Sequence, residues 1–328
     1  MTVTIKDVAR LAGVSASSVC RALANPGGVR PDTREQVQRA VRELGYVPNR
    51  TARALSTGRT GNLGIVLPDL ANPFFAGVVK AAQTRARALD HSVFLSDIDE
   101  DPAVETLLIR ALLRQVDGFL LCSPRSSDEE LRALHGKVPI VLLNRRLTPF
   151  PSVTLDAASG MTQALLHLHV LGHKRVAYVA GPRTSWANRE RLRGLRSAAE
   201  SRPIEVIEVG TAPPTVEGGA AMADVVLRTG VTAVLAFNDL TALGLLNRLR
   251  DRNFHVPEEI SVIGFDGILL SSLVSPALTT IGVDMERIGQ AGVDLLLETM
   301  ADPAHPPAHR KLPTQLIVRS STDVVRPH

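Results

Sequence analysis

The sequence predicts a mixed α/β protein: a small all-α helix-turn-helix unit followed by a two-lobed core of doubly wound parallel sheets. Three observations carry this. The first sixty residues are helix-patterned and basic, with ten Lys/Arg against four Asp/Glu, a net of +6, while the remainder holds 27 against 29. From Gly61 onward, short wholly apolar runs alternate with amphipathic helical stretches, as strands covered on both faces require. That rhythm restarts after Asp156, which divides the core into two units of similar size.

The N-terminal stretch reads as two short helices joined by a tight turn. Thr4 can cap the first helix, and Asp7 favours its positive end. Ile5, Val8 and Leu11 or Ala12 share one helical face. Gly13 is the natural turning point, since it tolerates positive φ without a Cβ clash. Ser15 can cap the second helix, whose Val19 and Leu23 face inward. Ala16, Ser17, Ser18, Cys20 and Arg21 are left outward. Small outward residues let a helix backbone approach base edges in a groove, and Arg21 can reach a guanine or a phosphate. A helical hairpin at the surface of an ordinary α/β enzyme fits this stretch as well, so by itself it leaves both readings open. A loop at Asn25-Pro26-Gly27-Gly28 and a third helix, Asp32 to Leu44, follow; Val37, Ala40, Val41 and Leu44 form its stripe and Gly45 its stop. Three such helices bury a small core without room for a catalytic cleft.

Residues 46–59 read either as a plain linker or as a hinge. Pro48 breaks the chain, Asn49 can cap, and Arg50 to Ser56 has the length of about two helical turns, marginal in isolation. Such a segment, carrying Arg50 and Arg53, can fold on DNA and insert Leu55 as an apolar wedge at a minor-groove base step.

In the core, strands are predicted at Gly64–Pro68, Val93–Ser96, Gly118–Leu121 and Pro139–Leu143, with helices at Phe74–Leu89, Ala103–Leu113 and Leu131–Leu134. After Asp156, helices are predicted at Met161–Leu171, Arg189–Ser201, Glu217–Arg228 and Leu240–Arg250. The strands among them are Val176–Val179, Ile204–Val209, Val234–Phe237 and Ser261–Phe265. A final helix, Met285 to Met300, and the strand Leu316–Val318 are expected to complete the second lobe. Ligands of such sheets bind at the carboxyl ends of the strands.

Composition narrows the function. Hydrophobic residues make up 45% of the chain and aromatics 3%, so packing is aliphatic. The two cysteines, Cys20 and Cys122, fall in different units, out of any metal-ligand spacing. His167 and His169, two apart on a helix, point to different faces, which counts against a metal site. His173 precedes a strand and reads as a structural hydrogen-bonder. The N-terminus has no apolar segment after its charges, and no apolar run reaches the length of a membrane span. A soluble cytoplasmic protein without cofactor is expected. No nucleophile elbow, phosphate-binding loop or zinc-protease pattern is present, which counts against an enzyme.

Taken together, several stretches resemble one family. Thr4-Ile5-Lys6-Asp7-Val8-Ala9, Gly13-Val14-Ser15 and Val19-Cys20-Arg21-Ala22-Leu23 are similar to the headpiece of the LacI-type (lactose-repressor-like) bacterial transcription regulators. Gly45-Tyr46-Val47-Pro48-Asn49 and Leu55 are similar to their hinge. Asn72-Pro73-Phe74-Phe75, Val116-Asp117-Gly118, Leu171-Gly172-His173-Lys174-Arg175, Arg191-Leu192-Arg193-Gly194, Phe237-Asn238-Asp239 and Gly264-Phe265-Asp266 extend the resemblance to about Thr322.

The resemblance implies a headpiece at residues 1–48, a hinge at 49–60 and a periplasmic-binding-protein-like core at 61–328. It implies a homodimer, or a dimer of dimers, on double-stranded operator DNA, most simply a repressor controlled by a sugar or nucleoside. The DNA-binding residues carried over are Thr4, Ser15, Ala16, Ser17, Ser18, Arg21, Asn49, Arg53 and Leu55. The effector-binding residues carried over are Phe74, Phe75, Asn144, Arg145, Arg191, Asn238 and Asp266. Departures are Asn144 where the family usually has Asp, Pro214 where a stacking aromatic is common, Val283 where a polar residue is frequent, and Cys20 where serine is usual.

Overall fold

The computed structural model describes residues 3–24, 26–46 and 59–325, and the chain divides into two compact units, Met1–Thr60 and Gly61–His328. Asn49, Arg53 and Leu55, and with them the expected hinge helix and the headpiece–hinge boundary, lie outside the described residues.

The first unit contains α1 (Ile5–Ala12), α2 (Ala16–Ala24) and α3 (Pro31–Leu44), with a single 3-10 turn at Pro26–Gly28. The Asp7 carboxylate accepts from the Thr4 amide at 3.0 Å and the Thr4 hydroxyl at 2.7 Å. These hydrogen bonds hold its carboxyl below the ordinary range. Gly13 ends α1 in the left-handed region, φ 65°. Ser15 Oγ accepts from the Ser18 amide at 3.1 Å, capping α2. Pro31 opens α3, where its missing N–H costs nothing. Val8, Val19 and Val37, each 0% exposed, form the centre of the core with Ala9, Ala12, Ala22 and Ala40. Ala12, not Leu11, is the inner residue of α1; Leu11 is exposed.

The second unit has two sheets of six strands. The first lobe is built from β1 (Asn62–Leu67), α4 (Pro73–Ala88), β2 (Ser92–Asp97), α5 (Pro102–Leu112), β3 (Gly118–Cys122), α6 (Asp128–Arg132), β4 (Ile140–Leu143) and β5 (Ser152–Leu155). The second takes α7 (Ala157–Val170), β6 (Arg175–Ala180), α8 (Trp186–Glu200), β7 (Glu205–Thr211), α9 (Val216–Arg228), β8 (Ala233–Ala236), α10 (Asp239–Asp251), β9 (Ser261–Asp266), α11 (Leu270–Leu273) and β10 (Thr279–Gly282). The chain ends with α12 (Met285–Ala301), β11 (His309–Leu312) and β12 (Gln315–Ile317). Strand order is β11-β5-β4-β3-β1-β2 in one sheet and β12-β10-β9-β8-β6-β7 in the other. All pairings are parallel except β10 with β12. The central strands β3, β4, β8 and β9 are buried along their whole length, as parallel strands covered on both faces must be.

Two expectations are corrected. The final helix was expected to complete the second lobe; α12 instead packs along α4 in the first. Gly289 makes this possible: a Cβ there would stand 2.4 Å from the Val78 carbonyl oxygen, so the helices touch backbone to backbone. Periodicity shows that a helix has an inner face but not which sheet it covers. The strands β5, β10 and β11 were also not anticipated. They are four residues long, contain serine, threonine or charged residues, and lack a continuous apolar run.

The chain therefore crosses between lobes three times, at Asp156, at Val283–Asp284 and at Pro313–Thr314. The crossings are tied together: Thr314 Oγ1 donates to the Asp156 carbonyl at 2.9 Å, and Lys311 Nζ pairs with the Asp156 carboxylate at 2.8 Å. The expected structural role of His173 matches its surroundings. Its ring lies between the Thr232 hydroxyl, at 2.8 Å, and the Asp323 carbonyl, at 3.2 Å. Burial pushes the Cys122 thiol up to about 12. No helix among the described residues is long and apolar enough to cross a membrane.

Candidate functional site

Parallel strands all end on one edge, and here the carboxyl ends of both sheets meet in a cleft. Asn72 follows β1, Glu100 follows β2, Ser123 and Arg125 follow β3, and Asn144 follows β4. From the other lobe come Ser185, Ala187 and Arg191 after β6, Pro214 after β7, Phe237 and Asn238 after β8, and Asp266 ending β9. With Phe74 and Phe75 of α4, these residues line one gap of about 20 Å³, room for a single water. An outer mouth of about 590 Å³, bordered by Asp69, Asp99, Glu100, Thr184 and Thr211–Thr215, opens above it. The lobes are thus closed on each other, and a larger ligand requires them to part.

Backbone strain concentrates here. Asp99 (φ 49°), Glu100 (61°), Ser123 (47°), Asn144 (54°) and Asp266 (119°) are non-glycine residues with positive φ, and all lie at strand ends on the cleft. Such conformations cost about 1–3 kcal/mol each and persist where surrounding contacts over-determine them.

Arg191 is the centre of the second-lobe half. Its Nη1 donates to the Phe237 carbonyl and its Nη2 to Asp266 Oδ1 at 3.2 Å. Its guanidinium lies 3.6 Å from the Phe265 ring centroid and 4.6 Å from that of Phe237. Its Nε is buried without a partner. Burial pushes the Asp266 carboxyl up to about 7, with Arg191 pulling against the shift and Asp239 adding to it. Asp239, fully buried, accepts from the Ile268 amide at 2.9 Å, from Ser271 Oγ at 2.6 Å and from Thr280 Oγ1. It thereby fixes the loop after Asp266. Gly264 makes room for it, since a Cβ there would fall 2.1 Å from Asp239 Oδ1. Burial raises the Asp239 carboxyl too, and its hydrogen bonds oppose the shift.

The other expected residues divide. Asn144 lines the gap and donates from Nδ2 to Ser123 Oγ at 3.0 Å. Asn238 lines it while capping α10: its Oδ1 accepts from the Thr241 amide at 2.9 Å, and its Nδ2 donates to the Pro214 carbonyl at 3.1 Å. Phe74 and Phe75 meet edge to face at 5.1 Å. Arg145 is not brought in. Its Nη1 donates to the Pro124 and Ser126 carbonyls and its Nη2 to Asp128, stitching down the segment after β3. Glu100 and Arg125 were missed. Arg125 Nε and Nη2 both donate to Glu100, and Nη1 donates to the Ser123 carbonyl at 2.7 Å. In sequence they sit in polar stretches that read as solvated loops; the arginine's place after an apolar strand was the available signal.

A larger hollow, about 790 Å³, lies at the opposite edge of the first lobe, among Pro139, Phe150, Pro151 and the end of α12. Of its acidic groups, Glu298 is paired with Arg310, and Asp302 is exposed to solvent. The interlobe gap, where strand ends of both lobes bring Arg125, Arg191, Glu100 and Asp266 together, is the better site.

On the first unit, Ser15, Ser17, Cys20 and Arg21 are exposed on one side of α2. Ser15 Oγ lies 2.8 Å from Ser17 Oγ and 2.9 Å from Ser18 Oγ, so these hydroxyls are linked to one another. Ala16 and Ser18 are half-buried, and Ala16 packs on the helical core.

Comparison with known proteins adds the following. Residues 4–49 match the model of bacterial regulatory proteins of the lacI family, and residues 165–322 that of a periplasmic binding protein-like domain. The HTH-type transcriptional regulator DegA of Bacillus subtilis is 31% identical over 98% of this chain and 98% of its own length. Among solved structures, the Lac repressor dimer bound to operator and the anti-inducer ONPF matches with TM-score 0.86 and 31% identity, covering 98% of this chain and all of that one. The transcriptional regulator CelR in complex with cellobiose matches with TM-score 0.74 and 31% identity, over 97% of this chain and 99% of that one.

Proposed function

The chain belongs to the lacI family of bacterial regulatory proteins, and from that premise we propose that it is a homodimeric, non-enzymatic repressor whose hold on operator DNA is set by a sugar-like effector in the interlobe cleft. The observation that carries the effector site is Arg191. It is buried between two aromatic rings with its Nε unpaired, at the junction of two lobes that are joined by three crossings. Leaving a buried charged donor unpaired costs more than about 1–3 kcal/mol, so a ligand acceptor there is strongly favoured. The Lac repressor dimer on operator and the cellobiose complex of CelR support the same reading of partner and ligand class. A regulator of chromosomal DNA acts in the cytoplasm.

Phe74, Phe75, Asn144, Asn238 and Asp266 join Arg191 as effector contacts. Thr4, Ser15, Ser17, Ser18 and Arg21 face DNA, with Asn49, Arg53 and Leu55 completing the contact in the hinge. The test is a thermal-shift screen of sugars, sugar derivatives and nucleosides on the purified protein, since a ligand of the native state raises Tm. It is followed by operator release with the compound found. Arg191→Ala and Asp266→Ala should lose that release. Operator affinity without effector, measured on both variants, separates a lost response from a lost fold. Release by either variant at the wild-type ligand concentration would sink the site assignment.

A further inference from the structure

We propose that the effector carries a carboxylate, seated between Arg125 of the first lobe and Arg191 of the second, and that Glu100 sets how tightly it is held. This rests on the effector reading above and narrows it from a sugar to a sugar acid.

Among the described residues, open donors around the gap outnumber open acceptors. Several acceptors are taken: both Glu100 oxygens receive Arg125, Asn238 Oδ1 receives Thr241, Asn72 Oδ1 receives the Phe74 amide, and Asp266 Oδ1 receives Arg191. Two stay open, Asp266 Oδ2 and Asn144 Oδ1. Donors remain. A guanidinium has five N–H groups. Arg125 places three of them on Glu100 and Ser123, leaving two. Arg191 keeps Nε unpaired. Both side chains are only 3% exposed, so bulk solvent does not satisfy them, and the gap they line has room for a single water.

A neutral hydroxyl has only Asp266 Oδ2 and Asn144 Oδ1 on which to place its proton, whereas at least three open N–H groups belong to the two guanidiniums. A carboxylate accepts only, and its planar pair of oxygens matches a guanidinium fork. Charge points the same way. Asn144 is neutral, two arginines line the gap, and one of the two lining acids, Asp266, is held partly neutral near pH 7 by burial. Glu100 is the counterweight. Its side chain is 24% exposed and borders both the gap and the mouth, so it tempers Arg125 without filling the site.

The experiment titrates the full chain, by calorimetry and thermal shift, with D-gluconate, D-glucuronate and D-galacturonate. D-glucose, D-galactose, D-ribose and D-glucose 6-phosphate are run beside them. At least one acid should bind about tenfold or more tighter than every neutral sugar, as expected for a hydrogen bond to a charged group. Arg125→Gln should remove that preference and Arg125→Lys should restore part of it. Glu100→Gln should raise the acid's affinity relative to that of the neutral sugars; as a partly exposed position, it reads the proposal even where Arg125→Gln lowers the Tm of the free protein. Equal binding of acids and neutral sugars, an acid affinity untouched by both Arg125→Gln and Glu100→Gln, or preference for the phosphate overturns the inference. If a neutral sugar binds through Arg191 and no acid does, the carboxylate falls while the effector reading stands. If none of the seven binds, the sugar-class reading and this inference fall together.

Discussion

At the residue scale, side chains are informative where their hydrogen bonds are incomplete or their charge is misplaced. Arg21 is exposed on α2 in a unit of net charge +6. A bidentate arginine–base contact is worth about 1–3 kcal/mol of discrimination. Arg21→Ala should therefore weaken operator binding and relax preference at one base pair. A mobility-shift titration against operators altered position by position reads both, and an unchanged preference would remove Arg21 from the base contacts. Asp266 makes a second prediction. Its carboxyl is raised from 3.8 to about 7 in the folded protein. The folded state thus holds a proton that the unfolded state has released, and the contribution to stability, full below about pH 4, is lost as pH rises to 7. Asp266→Asn should flatten the dependence of stability on pH across that window, measured by urea unfolding from pH 4 to 8. A slope equal to that of the wild type would place the titration elsewhere.

At the element scale, close approaches decide what the elements tolerate. Gly289→Ala puts a methyl 2.4 Å from the Val78 carbonyl where α12 crosses α4. Overpacking of this kind costs about 1–3 kcal/mol, which a shifted denaturant midpoint would show. A midpoint within error of wild type would mean the helices separate easily. How far the elements were legible follows from the same physics. β3, β4, β8 and β9 announce themselves as apolar runs because both faces are covered, and the caps at Thr4 and Ser15 follow from side-chain type. β5 and β11 carry no such signal, since an edge or crossing strand need not be apolar along its length. Nor does the pattern of α12 say which lobe it covers, because an amphipathic stripe has no address. In the cleft, Arg191, Asn144, Asn238 and Asp266 were recognisable through family motifs. Arg125 was not, because its burial depends on Ser123 adopting a left-handed turn and on Glu100 reaching back from another strand end. Arg145 was overrated for the matching reason: the strand end that places it near the cleft does not fix which way it turns.

At the scale of the whole molecule, the three crossings make the lobes interdependent. A fragment of residues 61–284 retains every second-lobe helix but lacks α12, β11 and the second-lobe edge strand β12. It would expose the apolar faces of α4 and β3–β5 that α12 covers. It should be expanded and aggregation-prone, whereas 61–328 should fold, bind effector and lack operator binding. Circular dichroism and gel filtration of the two fragments decide this, and a compact, monomeric 61–284 would contradict it. The same threading bears on manufacture. A ribosome releases the chain from its N-terminus, and domains fold as units once their residues have emerged. The basic helical unit is complete after some sixty residues, but the first lobe waits for α12 and β11, which follow all the helices of the second lobe. Until β11 has emerged the cell therefore holds a finished reading head tethered to an unfinished sensor, and regulation begins only after it.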